Sequence, residues 1–307
     1  MKSLCFLPLA LATILVSAQQ PVGIFENTLD VGAVLHPGST QYDAHTQTYR
    51  LSGAGENIWF AKDEFHYAYR QVTGNYILQA RVKLLVSGGD PHRKTGWMVR
   101  TGLASDDPMV SATVHGDGLT AIQYRKRKGA DIEEVKSPIK MPDVIQLERR
   151  GRSFFLSVAQ YGKTFWTVEV PDFDFPAEMY AGLFVCAHNT DAVESASFDN
   201  VQIVLPAKDD FRPYREYIGS HLELMEVATG HREIIYSVPG SIQAPNWTPD
   251  GKTLIYNSSQ GFIYRFDLAG RKAEILPTEP VVRNNNDHVL SFDGRMLGLS
   301  SSSGEPE

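Results

Sequence analysis

The stretch Pro245-Asn246-Trp247-Thr248-Pro249-Asp250-Gly251-Lys252 sits directly before a strand-like run, Thr253-Leu254-Ile255-Tyr256, and constrains the chain more than any other. Proline presets φ at one turn position, and glycine accepts the positive φ that a side chain would resist. The same order returns at Ser291-Phe292-Asp293-Gly294-Arg295, followed by Met296-Leu297-Gly298-Leu299. Aligned on Asp-Gly-basic, Asp250 and Asp293 are 43 positions apart. A second pair of markers, Ala228-Thr229-Gly230 and Leu268-Ala269-Gly270, repeats with its glycines 40 apart. Turn signals at roughly 40–45 residues, each beside short strands, are the signature of β-propeller blades. Rings of this kind close with about 4–8 blades, and a lone blade leaves its faces uncovered. The last hundred or so residues supply about two and a half blades at most. The expectation is an incomplete propeller, with Ser300 to Glu307 reading as the turn before a further strand.

At the other end, Lys2 precedes an apolar run from Leu4 to Val16 and the small residues Ser17-Ala18. That order predicts a secretory signal peptide over residues 1–18, cleaved after Ala18. The run falls short of the roughly 20 residues of a membrane span. The expected product is exported, periplasmic or secreted, with no membrane span after cleavage. Without Lys2 the chain holds 28 basic against 36 acidic residues, a formal charge of −8. Nucleic-acid binding needs a basic footprint, and this balance argues against it. The one basic cluster, Arg125-Lys126-Arg127-Lys128, reads as a solvated hairpin tip. Cys186 alone remains after cleavage, so no intrachain disulfide or cysteine metal site is expected. It lies in the apolar run Ala181 to Ala187, where a small buried hydrophobe is the natural role.

Length suggests two units. Composition shifts near Leu205-Pro206-Ala207-Lys208-Asp209-Asp210, placing a first domain over residues 21–205 and a second over 206–307. The first shows strand signals and no long amphipathic helix. Runs such as Ile58-Trp59-Phe60, Phe65 to Tyr69, Tyr76 to Leu84, Gly96 to Arg100, Val110 to His115 and Leu119 to Tyr124 are separated by Gly, Asp and Pro. Many short alternating strands without helices make a two-sheet sandwich, so the fold class is all-β.

Three features make this domain resemble the concanavalin/laminin-G-like jelly roll: Gly74 to Val82, Lys94-Thr95-Gly96-Trp97-Met98-Val99-Arg100, and the closing strand Ala196 to Ile203. Relatives of this kind include glycoside hydrolases, which set two carboxylates about 5–9.5 Å apart across a sugar. The nearest acidic stretch, Asp191 to Asp199, lacks the expected spacing, and adjacent Glu133 and Glu134 would point to opposite faces of a strand. No catalytic residues are therefore assigned. Ligand binding is easier to place. Arg100, His115 and Gln123 lie on neighbouring expected strands, forming a polar concave face if the registers align. Trp59, Tyr67 and Trp97 offer rings that could stack on a sugar, although buried aromatics also serve as core. The loop Asp90-Pro91-His92-Arg93-Lys94 carries ligand-like residue types, but one histidine near one aspartate reads first as a solvated turn. No metal or cofactor is expected.

In the second domain, Pro245, Trp247, Pro249, Asp250, Gly251 and Lys252 resemble the TolB-type propeller repeat, with Thr248 in place of its usual serine. The second copy keeps only Ser291, Asp293, Gly294 and Arg295. The resemblance implies that Asn286, Asp287 and His288, within Asn284 to His288, line a ligand surface. A polar loop between blades is the plainer alternative. No Gly-x-Ser-x-Gly elbow, phosphate loop or His-Glu-x-x-His occurs. The sequence therefore reads as a non-catalytic binding or scaffold protein whose partner is an envelope or extracellular protein, or a glycan. The alternative is an extracellular carbohydrate-active enzyme of glycoside hydrolase type, using the jelly-roll concave face.

Overall fold

The computed structural model describes residues 21–302, and all regular structure among them is β. The expected signal peptide lies outside the described residues. No helix among those described is long and apolar enough to cross a membrane.

Fourteen strands precede residue 205: β1 (Asn27–Val31), β2 (Ser39–Asp43), β3 (Thr48–Gly55), β4 (Phe65–Thr73), β5 (Tyr76–Leu84), β6 (Lys94–Arg100), β7 (Met109–His115), β8 (Thr120–Arg125), β9 (Glu133–Lys136), β10 (Val144–Arg150), β11 (Ser153–Ala159), β12 (Trp166–Val170), β13 (Glu178–Cys186) and β14 (Asn189–Val204). They form two seven-stranded antiparallel sheets, ordered β1-β4-β13-β6-β7-β8-β9 and β12-β11-β10-β5-β14-β3-β2. The expected two-sheet sandwich is what this part of the chain forms. Successive side chains on a strand face opposite ways, and the sequence uses that alternation fully. Trp97 and Val99 of β6, Val110 and Ala112 of β7, and Ile122 of β8 pack inward with Leu78, Ile145, Leu147 and Phe198 of the other sheet. Burying one such side chain contributes about 1.5–3 kcal/mol.

The outer face of the first sheet is also buried. Phe65, Tyr67, Met98, Met109, Phe184 and Cys186 form a second apolar cluster on it with Ile58 and Ile132. Beside that cluster a polar part, Lys94, Ser111, Thr113, His115 and Gln123, is buried as well, with Lys94 the cross-strand neighbour of Cys186. Loops cover this face. Residues 57–63 were expected to include a strand, Ile58-Trp59-Phe60, yet only Ile58 makes an isolated bridge, to Asp63. A buried ionic clamp accounts for the difference. Asp63 Oδ2 accepts from Arg100 Nη1 at 2.7 Å and Arg125 Nη1 at 2.8 Å, while its Oδ1 accepts from Arg125 Nη2 at 2.8 Å. All three side chains are fully buried. Arg125 Nη2 also donates to Phe60 O, and Ile132 N donates to Trp59 O, so the segment is folded back onto the sheet. Removing one partner of such a cluster leaves charge buried and unpaired, at a cost of about 3–5 kcal/mol. Arg125 is accordingly a correction to the solvated-tip expectation for residues 125–128. Lys128 keeps its exposed position, bridging to Asp106 at 3.0 Å and Asp107 at 2.8 Å.

Eight further strands follow: β15 (Ser220–Met225), β16 (Arg232–Val238), β17 (Gln243–Trp247), β18 (Thr253–Asn257), β19 (Ile263–Asp267), β20 (Lys272–Ile275), β21 (Asn284–Leu290) and β22 (Leu297–Ser301). They pair as β15-β16, β17-β18-β19-β20 and β21-β22, making sheets of two, four and two strands. Leu222, Ile235, Leu254, Tyr256 and Phe266 form a core shared by the first two of these sheets. Pro245 to Trp247, expected within a turn, belong to β17, and the turn itself is confined to Thr248–Gly251. The two Asp-Gly turns share the same set of closing bonds. Gly251 N donates to Thr248 O at 2.9 Å, and Gly294 N to Ser291 O at 2.8 Å. The Thr248 and Ser291 hydroxyls each donate to the following aspartate at 2.6 Å, and Lys252 N and Arg295 N each donate to that same oxygen at 3.1 Å. Gly251 and Gly294 take φ of 67° and 68°, the left-handed region that a side chain resists.

Candidate ligand-binding pocket

The polar part of the covered face opens into a cavity of about 430 Å³, lined by Asn57, Trp59, His92, Lys94, His115, Asp117, Leu119, Glu134, Lys136 and His188. Two larger hollows, of about 470 and 510 Å³, are lined mainly by exposed and half-exposed side chains. Register sets the floor of the smaller one. Lys94, first residue of β6, is the cross-strand partner of His115, last residue of β7, so both side chains leave the same face together. A tight turn brings His92 alongside: Asp90 Oδ1 accepts from His92 N at 2.7 Å, and Asp90 O from Arg93 N at 3.1 Å. That turn is stitched to the one between β7 and β8, where Gly116 N donates to Arg93 O and Asp117 N to Pro91 O, both at 3.0 Å. His188 enters just past β13, with a positive φ of 54°. The clamped loop supplies Asn57 and Trp59, and β9 supplies Glu134 and Lys136.

Hydrogen bonding fixes the chemistry of the floor. Gln123 Nε2 donates to Glu134 Oε2 at 3.2 Å and to His115 Nε2 at 3.1 Å. With both amide hydrogens on that nitrogen so used, His115 Nε2 is an acceptor and its ring proton resides on Nδ1. Nδ1 of His115 is buried and has no partner among the described residues, as is Nδ1 of His188. Lys94 Nζ donates to Asn57 Oδ1 at 2.6 Å and to Ile58 O at 2.9 Å, and lies 5.7 Å from the Trp59 ring centroid. Among the described residues it has no carboxylate partner within salt-bridge distance. The acids of the cavity are already engaged. Glu134 Oε1 is 3.1 Å from Lys136 Nζ, and Asp117 Oδ1 accepts from Leu119 N at 2.9 Å.

Burial sets the charge states. It lowers the Lys94 ammonium below its ordinary range, against weaker support from surrounding acids. Burial first, and the Lys94 charge second, push His115 down to about 3, so its ring is neutral at pH 7. His188 is lowered by the same two causes in the same order. Cys186, the cross-strand partner of Lys94, is pushed up to about 11 by burial and stays a thiol. The His92 ring centroid lies 5.4 Å from that of His188 and 6.3 Å from that of His115. Among the described residues, no group of three His, Cys, Asp or Glu is arranged to hold a metal ion.

The sequence-derived candidates are dispersed. His115 and Gln123 meet on the floor of the cavity. Arg100 shares their face, but it pairs with Met109, six residues from His115, which is about 20 Å along the strand. It is fully buried and committed to Asp63. Trp97 points into the inter-sheet core, and Tyr67 is buried with its hydroxyl donating to Met98 O and Tyr180 O. Of the three rings considered for stacking, Trp59 alone lines the cavity. Asn286, Asp287 and His288 lie on β21, in a different sheet. Asn286 and Asp287 are exposed there, while His288 is buried with Nε2 3.3 Å from Ile255 O. Asn57, Lys94, Asp117, Glu134 and His188 were not singled out as ligand residues, and the solvated-turn reading of residues 90–94 fails for Lys94, which is 2% exposed. Strand parity carried the missing signal, because Lys94 has the same parity as Met98 and Arg100.

No family model matches the chain. An uncharacterized protein of Agrobacterium fabrum is 38% identical over 82 residues, covering 26% of this chain and 28% of that protein. This chain thus matches less than a third of its relative's length. A functionally unknown protein from Saccharomyces cerevisiae is similar in structure, with a TM-score of 0.45, 13% identity and coverage of 59% of this chain and 97% of that one. A Mycobacterium tuberculosis protein described as an immunostimulatory antigen and pseudo β-1,3-glucanase gives 0.39, 8%, 62% and 97% for the same quantities. A Griffonia simplicifolia lectin gives 0.37, 8%, 58% and 93%.

Proposed function

We propose that this chain is an exported, non-catalytic binding protein whose sandwich holds a saccharide in the cavity at Trp59. A sugar presents one apolar face and a rim of hydroxyls. A pocket suited to it combines a flat aromatic surface with converging donors and acceptors. Trp59 supplies the ring, Lys94 and the histidines supply donors, and the Asp117 and Glu134 carboxylates, which keep lone pairs beyond the bonds already described, supply acceptors. The volume of about 430 Å³ lies within the range typical of small-ligand sites, about 300–1,000 Å³. The single observation that carries the reading is this gathering of buried polar groups beside one tryptophan, on the outer face of a sheet that a plain sandwich would leave open to solvent.

The C-terminal sheets complete the reading. Their two-four-two arrangement, with one turn repeated at 43 residues, reads as one whole TolB-type blade between two half-blades. In this proposal the propeller part presents a recognition surface to an envelope or extracellular protein.

Calorimetric titration of the full chain against a panel of neutral and acidic oligosaccharides tests the pocket. Saturable binding is expected, weakened at least tenfold by Trp59→Ala and by His188→Ala, the latter outside the clamped loop. Silence across the panel from folded protein would sink the saccharide reading, as would binding that neither variant alters. Release of reducing ends from a bound glycan would replace it with the hydrolase alternative, with Asp117 and Glu134 as the acids to test.

A further inference from the structure

We infer that the pocket is selective for saccharides carrying a carboxylate, seated between Lys94 and His115. The inference rests on the pocket reading above and adds a ligand class to it. Its ground is a pair of unspent donors of fixed direction, beside one buried acceptor, Gln123 Oε1, that has no partner among the described residues. The Glu134 carboxylate orients the Gln123 amide, and the amide makes His115 Nε2 an acceptor. The remaining ring proton of His115 therefore sits on a buried nitrogen that no group of the described chain accepts. Opposite it in register, the Lys94 ammonium spends two of its three N–H groups on Asn57 Oδ1 and Ile58 O.

Two adjacent side chains thus bring one unspent donor each to the floor of the same cavity, and one of them is a cation. A buried donor without an acceptor costs about 1–3 kcal/mol, more when charged. An anionic acceptor relieves both donors through charge-assisted hydrogen bonds. A carboxylate has two oxygens and can meet both. The negative groups facing this floor make no hydrogen bond to either donor: Glu134 is held by Gln123 and Lys136, and Asp117 caps its own turn. Trp59, over which the Lys94 charge lies, provides the apolar surface for the sugar ring that bears the acid.

The test uses one ligand in two forms, a uronic-acid oligosaccharide and the same oligosaccharide with its carboxyl reduced to a primary alcohol. Titrated into the full chain at fixed salt, the acid form is expected to bind at least tenfold tighter. Lys94→Gln should abolish that ratio. Because the comparison is made first in the unaltered protein, it stands even if this variant folds poorly. Equal affinities for the two forms would overturn the carboxylate seat and leave the saccharide pocket standing. Failure of both forms, while a neutral glycan saturates the Trp59 site, would do the same. Silence toward every saccharide would overturn both proposals.

Discussion

His115 is held neutral by its surroundings, and that has a measurable thermodynamic consequence. Its pKa is about 3 in the folded chain, against an ordinary value of 6.5. Above the ordinary value neither folded nor unfolded chain binds this proton, and the stability associated with the neutral ring is fully present. As pH falls through the window from about 6.5 to 3, the unfolded chain takes up the proton and the folded chain does not, so stability is lost. The slope approaches about 1.4 kcal/mol per pH unit for one such group. Urea unfolding followed from pH 7.5 to pH 5 should show a falling midpoint, and His115→Gln should flatten that fall. An unchanged pH dependence in the variant would show that His115 does not carry the effect. His66 and His188 are also lowered, chiefly by burial, and so a residual slope should survive. At this scale the sequence was legible in part. Alternation along 94–100 told that two faces existed, but not which one a covering loop would close. Trp97 looked like a binding ring because aromatic residues fit either face. Lys94 was overlooked because a lysine next to Pro91 and His92 resembles an exposed turn.

At the scale of single elements, the repeated Asp-Gly turn was the most readable part of the chain. Its geometry is encoded within six residues and needs no distant partner. Gly251 allows the cleanest perturbation: an added Cβ would meet nothing within 4 Å, so only the left-handed backbone opposes it. Gly251→Ala is expected to destabilise the C-terminal sheets by about 1–2 kcal/mol, read as a lower thermal midpoint of the full chain. Gly294→Ala should cost at least as much, because its Cβ would also approach Pro249 Cγ at 3.2 Å. A negligible effect at Gly251 would mean that the turn relaxes freely. Short strands at sheet margins were the least readable. β9, Glu133-Glu134-Val135-Lys136, carries three charges in four residues, a pattern suited to a sheet edge and hard to tell from a loop. Its Glu134 nevertheless sets the tautomer of His115 through Gln123. That link depends on pairing between β8 and β9, which no local pattern reveals.

At the scale of the molecule, two side-chain amides of the sandwich take the place of a missing strand beside β16. Gln47 Nε2 donates to Ile234 O at 2.8 Å, and its Oε1 accepts from Ile234 N at 3.1 Å. Asn200 Oδ1 accepts from Arg232 N at 2.8 Å, and its Nδ2 donates to Gly230 O at 3.1 Å. Both residues adopt positive φ, 51° in each case. Replacing both by alanine is expected to remove about 0.5–1.5 kcal/mol per bond. Hydrogen exchange at the Ile234 amide should accelerate while Leu147 in the sandwich core keeps its protection. Equal protection at both sites in the double variant would show that the amides do not hold the two parts together. Sequence could not anticipate this joint, since its partners lie 187 and 32 residues apart.

The opposed faces of β6 carry a further consequence. Trp97 belongs to the layer between the sheets and Lys94 to the cavity, and they leave the same strand in opposite directions with no shared partner. Energetic effects at sites without common neighbours are close to additive. Changes accumulating at one position therefore leave the cost of changes at the other nearly unaltered. Over evolutionary time the lining of the cavity can drift while the sandwich stays put, because its changes fall on Lys94, His115, β9 and the surrounding loops and leave the inward residues of β6 untouched.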